Sequence, residues 1–197
     1  MVRKLLLACS FIASAVLLSG CLVPERFTAK VDIQPDASYN YRFDGSAMDA
    51  MALLKLQQQG MLTDKDNQSL AAQAHKLSQE ADVKKSVYVG KARYQLEIEG
   101  SRKAGEPLKL LDMFTVQTNQ DGVITVSAKP LKRKEKADLA QMGIFVNGSL
   151  RVTLPAGAEV LSQNANTTPS TTGEASTYTW KLGDVGLLPE IKLRFNQ

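Results

Sequence analysis

The sequence predicts an α+β fold, a mostly antiparallel sheet of about eight to nine strands with an inserted helix hairpin packed on one face. Three observations carry this. Most of the chain alternates apolar and polar residues with a period of two, as strands buried on one face do. One stretch, 46–81, switches to the period of amphipathic helices. Turn-forming residues separate neighbouring strand stretches closely enough for hairpins, which implies antiparallel pairing with one wet face.

In order, Phe27, Ala29, Val31 and Ile33 alternate with Thr28, Lys30, Asp32 and Gln34. Pro35-Asp36-Ala37 turns the chain into Tyr39, Tyr41 and Phe43, alternating with Asn40, Arg42 and Asp44. These two segments predict the first hairpin. Ser46 and Asp49 then stand at capping-box spacing, a hydroxyl three residues ahead of a carboxylate. Met48, Met51, Ala52, Leu54 and Leu56 give the following helix its apolar face, and Gly60 is its expected C-cap. Thr63 and Asp66 repeat the capping pattern, and Leu70, Ala74, Leu77 and Ala81 form one stripe of a second helix. The short link between them predicts an αα-hairpin.

Strand alternation returns after Val83, through Tyr88, Ala92, Tyr94, Leu96 and Ile98. Residues 101–107 read as a polar loop. Phe114 and Val116 are joined to Ile124 and Val126 through Asn119-Gln120-Asp121-Gly122, whose Asp-Gly pair favours a tight reversal. A short helix is expected over 131–142. Leu150, Val152 and Leu154 precede a Pro155-Ala156-Gly157 turn into Val160 and Leu161, then a Ser/Thr/Asn-rich loop over 162–177. Tyr178, Trp180 and Leu182 make one more strand, and Ile191, Leu193 and Phe195 the last. No internal repeat is evident.

The first residues are an address rather than part of this fold. Arg3 and Lys4 precede residues 5–18, which carry no charge and are mostly apolar. That run is short for a bilayer span but suits the core of a signal peptide. Leu18-Ser19-Gly20-Cys21 follows and resembles the bacterial lipoprotein cleavage box, in which the Cys receives a diacylglycerol thioether. Residues 1–20 are therefore expected to be cleaved, leaving 21–197 as a single domain held at the membrane through its lipid. Two or more acyl chains anchor a protein stably where one does so only marginally. Leu22 rather than Asp after the Cys favours the outer membrane, facing the periplasm, in a Gram-negative cell. The chain reaches Gln197 without another apolar span, so the lipid is the expected anchor.

This reading removes much chemistry. Cys9 leaves with the signal and Cys21 is consumed by lipid, so no thiol or Cys-based metal site is expected. The formal charge of +4 falls as well: without Arg3 and Lys4, 22 basic side chains face 20 acidic ones, a side-chain charge of +2. Bulk charge then argues for no anionic partner, and nucleic acid is not expected. His75, the single His, has no second His with which to complete a zinc site. No Gly-x-Ser-x-Gly elbow or Gly-rich phosphate loop occurs. Asp64-Lys65-Asp66-Asn67 reads as a helix start rather than a calcium loop, because Ser69 and His75 stand where an EF-hand needs Gly and Glu. Glu97 and Glu99 share the wet side of a strand, where solvation is the default. No catalytic residue, cofactor or metal is expected.

Two binding features remain. Lys132, Arg133, Lys134 and Lys136 form the one dense basic run, suited to anionic lipid headgroups, to anionic glycans or to a solvated loop. Met48, Met51, Tyr94 and Trp180 are core residues if sheet and helices close tightly. If the sheet curves away, they would line an apolar cavity for a lipid or acyl chain.

Residues 145–155, Ala158-Glu159-Val160 and Tyr178-Thr179-Trp180-Lys181-Leu182 resemble the LppM-type domain of bacterial lipoproteins. The resemblance extends to the order of lipobox, hairpin, helical insertion, further strands and Trp strand. The sequence departs from the family where Pro155-Ala156-Gly157 replaces a tighter Pro-Gly and Asn164-Ala165 an Asn-Gly. Many members also end in a transmembrane helix. The resemblance implies a cell-envelope lipoprotein, with lipid or glycolipid binding as a suggestion, and supplies no catalytic residues. The function expected is a lipid-anchored, non-enzymatic binding or structural module whose partner is an envelope protein, lipid or glycolipid. The alternative is a lipid carrier with a cavity between sheet and helices.

Overall fold

The computed structural model describes residues 22–129, 133–169, 175–183 and 188–195. Strands β1 (Leu22–Ile33) and β2 (Tyr39–Asp49) lead into helices α1 (Ala50–Gln59) and α2 (Asp64–Leu77). Strands β3 (Val83–Tyr88), β4 (Arg93–Arg102), β5 (Leu108–Leu110), β6 (Phe114–Thr118) and β7 (Ile124–Ala128) follow. Helix α3 (Arg133–Gln141) then precedes β8 (Asn147–Leu154), β9 (Ala158–Gln163), β10 (Ser176–Leu182) and β11 (Glu190–Phe195).

The fold is α+β, but the strands form two sheets rather than one. The first has six strands in the order β10-β8-β1-β2-β4-β3, and the second has five in the order β5-β6-β7-β11-β9. Alternation reveals which face of a strand is buried; it does not reveal which strand is its neighbour. The turn at 155–157 looks like a hairpin, yet β8 and β9 lie in different sheets. β8 runs parallel to β1, with Ala29 opposite Leu150, while β9 pairs with β11. The stretch after Val83 is likewise two strands, reversed at Gly90-Lys91-Ala92, where three successive residues have φ of 86, 49 and 61°. β5 went unread because three residues show too little alternation.

One core joins both sheets and α2. Phe27, Ala29, Val31 and Ile33 of β1, Tyr39, Tyr41 and Phe43 of β2, and Leu150, Val152 and Leu154 of β8 face the same interior as Phe114, Val116, Ile124, Val126, Ile191 and Leu193. Phe27 is at its centre, stacked on Phe43 at 5.2 Å and edge-on to Phe114 at 5.9 Å. Its two register partners, Gly45 and Gly148, have to be glycines. A Cβ on Gly148 would come within 2.5 Å of the ring, and one on Gly45 within 2.2 Å of the Arg26 carbonyl. Burying a Phe side chain contributes about 1.5–3 kcal/mol relative to leaving it exposed.

The helix hairpin obeys local rules, with one shift at its start. Ser46 does not cap α1; it extends β2 and donates to Glu25 at 3.3 Å. Asp49 is the cap, its carboxylate accepting the Ala52 N–H at 2.8 Å. Met48 therefore belongs to the strand and not to the helix face. Gly60 closes α1 in the left-handed conformation at φ 74°. At α2 the capping box forms in full between Thr63 and Asp66. Leu70, Ala74 and Leu77 are buried, whereas Ala81 is exposed beyond the helix end.

Candidate functional site

Two features beside α1 present apolar surface to solvent. The first is an open groove of about 430 Å³ between α1 and α2, lined by Met51, Leu54, Lys55, Leu62, Ser69 and Gln73 among others. Met51 lines it and is 65% exposed. Lys55 bridges the two helices through Asp66 at 2.7 Å. That contact and the Thr63 hydroxyl hold the Asp66 carboxyl down to about 2.

The second feature is the end of the domain from which the N-terminus emerges. Leu22 opposes Asp49 and Val23 opposes Met48 across β1 and β2. The Asp49 N–H donates to the Ala92 carbonyl at 2.8 Å, tying the reversal after β3 to the start of α1. Met48, Leu53, Ala92 and Ile144 form a small second core here, with Val23, Leu139 and Met142 against it. Gln57 on α1 reaches the Met142 carbonyl after α3 at 2.8 Å. Glu25 and Arg93 form a two-pronged ion pair of 2.7 and 3.0 Å that clamps β1 to β4 across the intervening β2. The Arg93 hydrogen bond holds the Glu25 carboxyl below its ordinary value.

The residues singled out from the sequence do not converge on one cavity. Trp180 and Tyr94 are solid core. The Trp180 indole N–H donates to Asn164 at 2.8 Å, and the Tyr94 hydroxyl, pushed up to about 12 by burial, donates to the Leu70 carbonyl at 3.3 Å. Met48 lies in the small second core, and only Met51 faces the groove. A cavity between sheet and helices is therefore not what these four residues make. The tyrosine hydroxyl spans the gap to α2, and the open space lies between the helices instead. Cys21, Leu18, Ser19 and Gly20 lie outside the described residues, as does Lys132. Arg133, Lys134 and Lys136 fall on α3, where Lys134 is exposed.

Several other titratable groups form structural pairs. His75 is exposed on α2. Glu97 pairs with Lys85 at 3.3 Å and Glu99 with Arg42 at 3.5 Å, so each carboxylate has its own cation. Asp82 accepts from the Tyr41 hydroxyl at 2.6 Å and from Arg102 at 2.8 Å. Burial pushes its carboxyl up, but those two donors outweigh it and leave Asp82 below its ordinary value. Arg102 also lies over the Tyr41 ring at 5.0 Å, so the group fastens β2, β4 and the approach to β3. Among the described residues no cluster of three or more His, Cys, Asp or Glu could hold a metal ion. No described helix is long and apolar enough to cross a membrane.

No protein-family model matches the chain, and no curated protein matches it. Among solved structures, the folded domain of LppM from Mycobacterium tuberculosis is similar at 12% identity, covering 89% of this chain and 92% of that one, with a TM-score of 0.43.

Proposed function

We propose that this chain is a lipid-anchored lipoprotein of the cell envelope that acts by binding rather than by catalysis. The observation that carries it is the order at the N-terminus: positive residues, an uncharged apolar run, Leu18-Ser19-Gly20-Cys21, and then a strand that begins at Leu22. The placement of the titratable groups supports a binding role, since Glu25, Asp66, Asp82, Glu97 and Glu99 are each paired with a Lys or Arg and His75 is exposed on α2. The site of attachment in this reading is the thioether of Cys21, and Leu22 favours the outer membrane of a Gram-negative host. Cys21→Ser tests it. The variant is expected to keep its signal peptide, lose incorporation of labelled fatty acid and run at a higher mass. Membrane retention at the normal mature size without lipid label would contradict the proposal.

The groove between α1 and α2 supports a second reading, in which the module holds an acyl chain or lipid there. It moves the cavity expected from the sequence from the sheet–helix interface to the interhelical surface. Met51→Asp changes an exposed side chain, so the fold is expected to survive while co-purifying lipid, measured by native mass spectrometry, is lost. Retention of the same lipid by the folded variant would rule out the groove.

A further inference from the structure

We infer that the end of the domain carrying Leu22, the reversal at 89–92 and the 144–146 segment docks directly on the bilayer surface that holds the anchor, with its exposed apolar side chains in the headgroup region. This rests on the lipidation of Cys21 proposed above. A lipoprotein domain stands off its membrane by the reach of its linker, up to ~3.5 Å for each extended residue. Here there is no linker. Leu22 is the first residue of β1 and already opposes Asp49. The Glu25–Arg93 clamp makes that end of β1 part of the folded body. A lipid on the preceding residue therefore brings this end of the domain against the membrane.

The side chains exposed at this end suit that position. Phe145 is 72% exposed, and Val89 is 56% exposed beside the exposed Lys91. They come from separate elements. The parallel register of Arg26 with Asn147 brings the residues just before β8 alongside the start of β1. Ile144 and Ala92 share one small core with Met48, which fixes their neighbours Phe145 and Lys91 at the same end. Apolar side chains next to a lysine are what an interfacial contact uses, the hydrocarbon entering the headgroup boundary while the ammonium stays wet. Two acids at this end are engaged: Asp49 caps α1, and Glu25 is held by Arg93. The opposite end of the same sheet, the turn at Pro35 and Asp36, is exposed and bears a carboxylate capped by Ser38.

The test uses the full lipidated protein, with Cys9 replaced by Ala so that one engineered thiol is the only free one. Phe145→Cys, Val89→Cys and Asp36→Cys are each labelled with a nitroxide and reconstituted in vesicles of phosphatidylethanolamine and phosphatidylglycerol. Accessibility to oxygen and to a water-soluble nickel chelate is then read by electron paramagnetic resonance. The ratio of oxygen to nickel accessibility is expected to be several-fold higher at 145 and 89 than at 36. Equal, water-like ratios at all three positions on a chain whose Cys21 carries lipid would overturn the docking surface while leaving the anchor intact. Mass spectrometry of the same samples reports the anchor separately. An unmodified Cys21, which would itself take up the label, would sink the anchor reading and with it the docking surface that rests on it.

Discussion

Asn164 closes two gaps at once. Its side-chain oxygen accepts from the Trp180 indole at 2.8 Å and from the Glu190 N–H at 2.9 Å, while its amide donates to the Leu188 carbonyl at 2.7 Å. Trp180 in the first sheet is thereby joined to the start of β11 in the second. Removing the acceptor strands a buried donor, a loss of about 1–3 kcal/mol. Asn164→Ala is therefore expected to lower the denaturant midpoint, followed through the fluorescence of the single Trp; an unchanged midpoint would show the bond to be replaceable by water. The sequence marked Trp180 as an inward residue, but nothing marked Asn164 as its partner. Its position in a Ser/Thr/Asn-rich loop hid it, because a hydrogen bond across sheets leaves no local periodicity.

At the scale of elements, what was legible was what the chain decides locally. The Thr63–Asp66 box, the Gly60 C-cap and the stripe of Leu70, Ala74 and Leu77 depend on residues within one or two turns, and all three formed. Thr63→Ala removes the acceptor for the Asp66 N–H and is expected to destabilise by about 1 kcal/mol. For a domain of this size that is a fall of about 2–4 °C in Tm by calorimetry; a larger loss would mean the box holds more than the helix end. The start of α1 was misplaced by its own decoy, since Ser46 and Asp49 have the right spacing but β2 continues through both. Pairing with Gln95 and Leu22 holds those residues extended. The candidate site was legible only in part for a similar reason. Met51 was singled out, but the groove depends on how α1 lies against α2, which only tertiary packing sets.

Across the whole molecule, the separation into two sheets follows from repeated passages of the chain between them, at β4–β5 and at every step from β7 to β11, none of which a local signal announces. The same architecture sets the pH range of stability. Glu25 and Asp82 lie below ordinary values of 4.5 and 3.8, and Asp66 is held down to about 2. Carboxylates depressed by folding contribute stability above their unfolded values, and that contribution is lost as the pH falls through the folded ones. Burial pushes Tyr39 and Tyr94 up to about 12 from 10.0, so their contribution is present below 10.0 and is lost as the pH rises toward 12. Urea unfolding is expected to give a plateau between about pH 5 and about pH 9 with a loss on either side. Asp82→Asn should flatten the acid limb, and a stability that rises from pH 5 to pH 3 would contradict these assignments.

The central claim is that the folded body begins where the lipid ends, and the mass of the N-terminal peptide tests it most directly. Protein extracted with detergent from the membranes of its own host, digested and analysed by mass spectrometry, is predicted to begin at Cys21 with a diacylglyceryl thioether. A peptide beginning at Met1, or at any residue other than Cys21, or an unmodified Cys21 thiol, would contradict it.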